Sequence, residues 1–319
     1  MKLIGLNAGR EFLRIINAIP YCEGEFPIGC FFVAPPGSGK TFLLTSTHSK
    51  DFILVSDITA YGMEKLLLDL TRAKSGYVVV PDLLRCMSRK QSFEQLVSLL
   101  NLLLEEGVRV IKRQNLDLNL IEPLRFGFIT ALTTAEFQKI LPQFMNTGLL
   151  SRIIVFSFYY EHSDVQRIKD VILSTKEESF KTRLNGVSKV DVKIPSKLKN
   201  LLYKISSSTP DKYGFRTLKL YRKLCKAKAL LNGRDKVTKT DIMEVFCFVP
   251  FISFASDLKI HGGSDLQYFI LKRVIKRPVH PDDLKLKGYE KDEIDKSVGE
   301  LMKRGLIKIA RDGKIHANI

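Results

Sequence analysis

The sequence predicts an α/β protein built on a parallel sheet, and three observations support this. Short apolar runs alternate with longer stretches in which apolar residues recur every three to four positions, the pattern of strands joined by helices. Residues 28–33 are continuously apolar apart from one glycine, which indicates a strand buried on both faces. A glycine-rich loop at 34–41 follows that run and precedes a helical pattern.

The elements follow in chain order. An amphipathic helix over 1–20, ended by Pro20, comes first. Strands are expected at 28–33, 52–55, 77–80, 126–131 and 153–158, with a hairpin of 108–113 and 119–124 before the fourth. Helices are expected from 42, and at 62–74, 92–106 and 135–145, then at 196–206, 215–232 and from Thr238 onward. The last elements are helices at 265–276, 281–286 and 291–304 and a hairpin of 307–310 with 314–317.

The charge of the chain favours a polyanionic partner. The 319 residues carry a formal net charge of +17, and 16 Lys and Arg face three Asp and Glu between positions 181 and 236. No run of about 18 apolar residues exists, so we expect nucleic acid and not a membrane. Five cysteines without C-x-x-C spacing, and a start without a signal-peptide core, predict a cytoplasmic protein.

The loop Ala34-Pro35-Pro36-Gly37-Ser38-Gly39-Lys40-Thr41 fits the phosphate-binding pattern G-x-x-x-x-G-K-[ST], with Ala34 in place of the first glycine. Glycines let the backbone wrap an anion with its N–H groups pointing inward. Lys40 would reach the β- and γ-phosphates of ATP, and the Thr41 hydroxyl would bind Mg²⁺. The residues expected to bind the nucleotide are Pro36, Gly37, Ser38, Gly39, Lys40 and Thr41.

Polar side chains at the ends of later strands could complete this site. Asp82 follows the apolar run 77–80 and would hold Mg²⁺ through water, although it could equally be an ordinary turn aspartate. The next residue is Leu83, where many related ATPases have a glutamate that orients the attacking water. Hydroxyls near the fourth strand could contact the γ-phosphate or cap the following helix, and they belong to Thr130, Thr133 and Thr134.

Arg152 comes directly before the fifth strand, in Gly148-Leu149-Leu150-Ser151-Arg152. At a subunit edge it could reach the γ-phosphate of a neighbouring copy and stabilise transition-state charge. The alternative is a surface arginine that begins a strand.

Together these motifs resemble the AAA+ ATPases, and more narrowly the minichromosome maintenance (MCM) helicases and related mobile-element replication proteins. Residues 105–112 resemble the hairpin that lines the DNA channel of that family, residues 149–153 its arginine-finger segment, and residues 216–242 its helical lid. The resemblance implies that Lys112 and Arg113 contact DNA, that Thr133 is the first sensor and Arg216 the second, and that the finger arginine acts in a ring. The catalytic residues would then be Lys40, Asp82, Thr133, Arg152 and Arg216, with Thr41 and Asp82 at the metal.

Composition changes near 181–195 and at 261–263 divide the chain into three predicted domains. We expect an AAA+ nucleotide-binding domain at 1–180, a basic helical lid at 181–260 and a winged-helix domain at 264–319. The predicted function is an ATP-dependent DNA translocase or helicase in DNA replication. We expect it to form a hexameric ring, to need ATP and Mg²⁺ and to contact replication proteins. Two alternatives remain open: a DNA-binding ATP switch such as an origin initiator or helicase loader, and a scaffold that uses ATP only to assemble.

Overall fold

A six-stranded sheet, parallel except at one edge, lies at the centre of the computed structural model. The structure describes residues 4–46, 51–56, 60–73, 75–83, 90–113, 116–173, 189–208, 214–253 and 262–318. The strands are β1 (Gly29–Val33), β2 (Phe52–Leu54), β3 (Tyr77–Val80), β4 (Val108–Arg113), β5 (Leu116–Leu124), β6 (Gly127–Leu132), β7 (Ile153–Ser157), β8 (Ile252–Ser253), β9 (Ile307–Ile309) and β10 (Ile315–Ala317). The mixed α/β class and the mostly parallel sheet predicted from the sequence are thus confirmed.

Eleven α-helices surround the sheet within the described residues. They are α1 (Asn7–Ala18), α2 (Lys40–Thr45), α3 (Ala60–Ala73), α4 (Lys90–Asn101), α5 (Thr134–Asn146), α6 (His162–Leu173), α7 (Lys199–Ser207), α8 (Phe215–Leu231), α9 (Lys239–Phe246), α10 (Asp265–Lys276) and α11 (Lys291–Lys303).

The strands are ordered β2-β3-β6-β1-β7-β8, and only β8 runs antiparallel to its neighbour. After β1 the chain continues to β2, β3 and β6 on one side, and it then returns to β7 on the other side of β1. The carboxyl end of β1 therefore lies where the strand order reverses, the usual position of ligand crevices in open α/β sheets. The loop at 34–39 begins at that point.

Both faces of the sheet are buried, as the continuous apolar runs predict. On one face, Cys30 and Phe32 belong to a cluster that continues through α1, the helices between 198 and 246, and the last helices and hairpin. On the other face, Phe31 and Val33 pack with α3, α4 and α5. Successive residues of β1 thus pack into two separate apolar layers, because side chains alternate between the two faces of a strand.

The region 264–319, predicted as a winged-helix domain, contains α10, α11 and the antiparallel pair β9–β10. It is tied to the rest of the protein by polar contacts as well as by the shared apolar cluster. The Asp265 carboxylate accepts from the backbone N–H groups of Asn7 and Ala8, both at 2.9 Å, and so caps the start of α1. The predicted division at 180/181 and residues 254–261 lie outside the described part of the chain.

Several elements differ from the sequence prediction: helix α6 and strand β8 were not predicted, and the helix predicted over 281–286 is only a 3₁₀ turn, Pro281–Asp283. The helix predicted over 92–106 is α-helical only to Asn101 and ends in a π-helical turn, Leu102–Glu106. Gly107 closes that turn with φ +80° and donates to Leu102 O at 2.7 Å. The second hairpin strand begins at Leu116, not at 119, because Lys112 and Arg113 pair with Asp117 and Leu116. The periodicity of apolar residues does not reveal the π-helical turn or the start of β5, since both depend on backbone hydrogen bonds.

Candidate functional site

The loop between β1 and α2 is shaped by two glycines in the left-handed region. Gly37 has φ +71° and Gly39 has φ +72°, conformations that side chains with a Cβ rarely adopt. A Cβ at Gly39 would also lie 3.3 Å from Leu6 Cδ1 and 3.6 Å from Tyr160 Oη. Gly39 therefore satisfies both a backbone and a packing requirement.

Lys40 is turned back into this loop. Its ammonium group donates to Ala34 O at 2.9 Å, to Pro35 O at 2.7 Å and to Ser38 Oγ at 3.1 Å. The residue is only 8% exposed, and burial lowers the pKa of Lys40 while the nearby charge of Glu136 opposes that shift. All three partners are neutral, so the loop keeps the positive charge that an anionic ligand would meet.

Tyr160 braces the loop from outside. Its hydroxyl donates to Ser38 O at 2.6 Å, and its ring stands where a Cβ at Gly5 would lie, 2.3 Å away. Burial raises the pKa of Tyr160, so the phenol stays protonated and keeps donating. No sequence pattern pointed to Tyr160, because it follows β7, far from the loop in the chain.

The carboxyl ends of β3 and β6 place Asp82 and Thr133 on the same sheet edge as the loop. Val80 pairs with Thr130, and Leu132 pairs with Val33. Asp82 is exposed just beyond the end of β3, and Leu83 is 1% exposed in the apolar layer. Leu83 is thus a core residue, which explains its apolar character.

The threonines near β6 take different roles. The Thr130 hydroxyl is fully buried and donates to Val80 O at 2.6 Å, so it fastens β6 to β3. Thr133 caps α5: its Oγ1 accepts from Glu136 N at 3.2 Å, and the Glu136 carboxylate accepts from Thr133 N at 2.7 Å. As an acceptor in this bond, the Thr133 hydroxyl keeps its own hydrogen for a further acceptor.

Two oxygen-bearing side chains predicted to hold Mg²⁺, Thr41 and Asp82, are exposed at this edge. Thr41 follows Lys40 in the first turn of α2, and hydroxyl and carboxylate oxygens suit Mg²⁺, which retains several waters. Over the described residues, no group of three or more His, Cys, Asp or Glu side chains is arranged to hold a metal by itself. Two protein ligands completed by water and phosphate oxygens would fit this donor set.

Arg152 lies at the opposite, amino edge of the sheet. It precedes β7, and β7 pairs with β1 from Gly29–Ile153 to Val33–Ser157. These five residue pairs separate Arg152 from the start of the loop by about 16 Å along the strand, more than an arginine side chain spans. Arg152 is therefore not positioned to reach the loop of its own chain.

The arginine is already engaged at that edge. Its Nε and Nη2 both contact Glu105 Oε2, while Nη1 donates to Gly148 O at 2.8 Å and to Asn101 Oδ1 at 3.2 Å. Arg216, in the first turn of α8, contacts the other oxygen of the same carboxylate, Glu105 Oε1, at 3.6 Å. The structure thus joins the two arginines to each other through Glu105. Glu105 begins the motif at 105–112, but no sequence pattern indicated a role for it.

Part of the basic surplus predicted for the lid is paired inside the protein. Glu25, whose side chain is 2% exposed, contacts Arg222 at 2.9 Å and Lys226 at 3.0 Å. Lys228 contacts Glu11 at 3.0 Å and Glu244 at 2.9 Å. These charges attach α8 to the segments around β1 and α1.

The hairpin β4–β5 stands apart from the main sheet and carries Lys112. Lys112 is exposed and pairs with Asp117, so a negative charge lies across the strand on the same face. The side chain of Arg113 lies outside the described part of the structure, although its backbone ends β4. Ile121 in β5 is 99% exposed, so this hairpin presents both apolar and charged groups.

Helix α11 is used for internal packing on at least one face. Glu293 accepts from Ser163 N at 2.9 Å, and Glu300 accepts from Tyr159 Oη at 3.1 Å and from Gln267 Nε2 at 2.8 Å. Its acidic residues therefore fix the helix to α6 and α10.

In comparisons with known proteins, no family model matches the chain and no curated protein is significantly similar to it. In the parts of the chain with described coordinates, no helix has the length and apolar character needed to cross a membrane.

Proposed function

We propose that this chain is an ATPase of the AAA+ type that assembles with further copies and acts on DNA, as an MCM-like translocase or helicase. The observation that carries the proposal is the loop at the reversal point of the sheet, with Lys40 held inside it by neutral oxygens. An ammonium group among backbone N–H groups and left-handed glycines is suited to a triphosphate.

Each residue at the carboxyl edge has a role in this proposal. Lys40 leaves its three internal acceptors for phosphate oxygens, and the loop from Pro36 to Gly39 supplies backbone N–H groups. Thr41 and Asp82 hold Mg²⁺, which neutralises charge on the phosphates when bound. Thr133 uses its remaining hydroxyl hydrogen toward the terminal phosphate or the attacking water.

The position of Arg152 supports a site shared between copies. A cation that stabilises transition-state charge has to touch the terminal phosphate, and about 16 Å of sheet separates Arg152 from its own loop. In a head-to-tail assembly, the amino edge of one copy faces the carboxyl edge of the next, and a closed ring results when the rotation closes. We propose a hexamer.

Two features support DNA as the partner. The net charge of +17 attracts a polyanion, and Lys112 is exposed on the hairpin. Hairpins of several copies would meet the phosphate backbone in a shared channel. We expect the winged-helix region at 264–319 to contribute contacts from surfaces other than the acidic face of α11.

A second function is favoured by one observation. Leu83, directly after Asp82, is buried in the apolar core. This is the position at which a glutamate would orient the attacking water. A DNA-binding ATP switch, such as an origin initiator or helicase loader, needs binding and assembly with little turnover. A hydrolysing enzyme would need another carboxylate; among the described residues, Glu136, whose charge acts on Lys40, is one candidate, and it would also have to keep or give up its bond to Thr133 N.

The experiment that separates these functions is the steady-state ATPase rate of the full chain with and without single-stranded and duplex DNA. Lys40→Ala provides the blank. A DNA-stimulated rate of about 1 s⁻¹ or more supports a motor, being within the usual enzyme range. ATP binding with a rate equal to the blank supports the switch. A chain that binds no ATP would contradict both.

A further inference from the structure

We propose that Glu105 is an internal counter-ion for Arg152 and Arg216 that is exchanged for the terminal phosphate of ATP bound to an adjacent copy. This inference rests on the proposed function, since it requires that a second chain presents its nucleotide to the amino edge. It adds a regulatory role for a carboxylate that neither the motif nor its spacing assigned.

The contacts show one carboxylate serving two cations. Arg152 approaches Oε2 through both Nε and Nη2, and Arg216 approaches Oε1 at 3.6 Å. These two arginines lie 64 positions apart in the chain, and each is connected to a different structural layer. A guanidinium fork matches the oxygens of a carboxylate and of a phosphate equally well. Glu105 therefore occupies the place that a phosphate oxygen pair would take.

Arg152 is held in place by groups other than Glu105. Its Nη1 donates to Gly148 O and Asn101 Oδ1, and Gly148 itself has φ +69° with Arg152 Nη1 3.2 Å from the position of a Cβ. Departure of the carboxylate would leave the guanidinium oriented and two donors open. The site is thus prepared for an incoming anion.

Charge and exposure both favour exchange. Both arginines contact the carboxylate of Glu105, and a terminal phosphate brings more negative charge than a carboxylate. The side chains are 22% exposed for Arg152, 44% for Glu105 and 48% for Arg216. Ion pairs at such exposure are weak in water, which makes them replaceable.

Glu105 is also connected to the hairpin. It lies in the π-helical turn Leu102–Glu106, and π-turns interrupt the regular helix ladder at sites of function. Arg125 donates to Glu105 O at 3.2 Å and to Glu106 O at 3.1 Å, and β4 begins two residues later. When the Glu105 carboxylate leaves the arginines, the π-helical turn loses its contact with Arg152 and Arg216. This turn leads directly into β4, which carries Lys112. Nucleotide in one copy would thereby affect the DNA-facing hairpin of the next.

The test compares Glu105→Gln with Glu106→Gln in the full-length protein. Glu106 is the adjacent exposed glutamate of the same turn, so it is the matched control. The measurement is the ATP concentration that gives half-maximal assembly, by mass photometry, and half-maximal turnover. We expect Glu105→Gln to lower that concentration about fivefold, the effect of losing a competing ion pair, and Glu106→Gln to leave it unchanged. An unchanged or higher concentration for Glu105→Gln overturns the exchange.

A second variant guards against a folding defect. Glu105→Asp keeps the charge but withdraws it by one methylene, and we expect it to lower the half-maximal concentration about twofold. In an Arg216→Ala background, Glu105→Gln should lower the half-maximal ATP concentration by a smaller factor, because Arg152 and Arg216 no longer share the carboxylate. Equal effects of Glu105→Gln in both backgrounds would overturn the role of Arg216.

Different results would contradict the nucleotide site and the exchange at Glu105. If Lys40→Ala assembles and turns over ATP like the wild type, the nucleotide site is wrong and Glu105 has no ligand to exchange. If turnover depends on Lys40 and Arg152 but not on Glu105, only the exchange is wrong.

Discussion

The two edges of the sheet carry cations in contrasting states. At the carboxyl edge Lys40 is 8% exposed and bound to three neutral oxygens, while at the amino edge Arg152 is 22% exposed and bound to a carboxylate. The lysine retains its full charge toward a ligand. The arginine is already neutralised and has to give up a partner before it can bind another anion.

This difference indicates a division of labour. Under the proposed function, the site that captures ATP first would have a charge bound only to neutral oxygens, whereas the group that acts after assembly would keep its charge paired until then. Since about 16 Å of paired strand separates the two, the proposed site would need the two edges from different copies.

Removing the cation at the carboxyl edge should have the largest effect. We expect Lys40→Ala to reduce ATP turnover at least about a hundredfold and to weaken ATP binding, because no other described cation lies in the loop. Equilibrium binding of a fluorescent ATP analogue and a phosphate-release assay measure both. Lys139→Ala, an exposed lysine of α5, is the control, and equal losses in the two variants would remove Lys40 from the site.

Removing the cation at the amino edge should separate binding from turnover. We expect Arg152→Ala to bind ATP within about twofold of wild type and to lose turnover by about a thousandfold, as a finger arginine does. Arg72→Ala, an exposed arginine of α3, provides the comparison. Loss of ATP binding in Arg152→Ala would argue for a role inside its own chain.

Substitutions in the hairpin should change DNA affinity by smaller amounts, downward at Lys112 and upward at Asp117. We expect Lys112→Ala to weaken DNA binding about threefold and to lower the salt slope by about one, since one phosphate contact is lost. Asp117→Asn should strengthen binding, because it removes the opposing charge across the strand. Fluorescence anisotropy at several salt concentrations measures both, and equal shifts for the two variants would exclude contact at this face.

The smallest effect is expected at the brace of the loop. Tyr160→Phe keeps the ring against Gly5 and removes only the hydrogen bond to Ser38 O. We expect ATP affinity to fall about twofold with no change in DNA binding, since only part of the roughly 1 kcal/mol of one hydrogen bond is expressed in nucleotide binding. Isothermal titration calorimetry measures it, and unchanged affinity would mean that the glycines alone shape the loop.

Much of the sheet could be predicted from the sequence because its strands are buried on both faces and therefore continuously apolar. The turn at Gly37 and Gly39 was predictable because both glycines adopt a positive φ, which residues with a Cβ rarely do. Asp82 and Thr133 were predictable as strand-end residues, since the carboxyl ends of parallel strands meet at one edge.

Other features depend on contacts between distant segments and left no local pattern. Glu105 gains its meaning from Arg152 and Arg216, and Tyr160 from Ser38, across 47, 111 and 122 positions. The pairing of the lid cations with Glu25 could not be seen either, because charge runs in a sequence do not show which charges are satisfied in the fold. Leu83 stood out as a missing glutamate, but its burial is a tertiary property.

The most direct test of the shared site is complementation between the two edges. Lys40→Ala chains keep Arg152, and Arg152→Ala chains keep Lys40, so mixed assemblies contain interfaces where both cations are present. For equal amounts in a head-to-tail ring, we predict about one quarter of the wild-type ATPase rate per chain, while either variant alone is inactive. A mixture no more active than the sum of its separate components would contradict a site built from two copies.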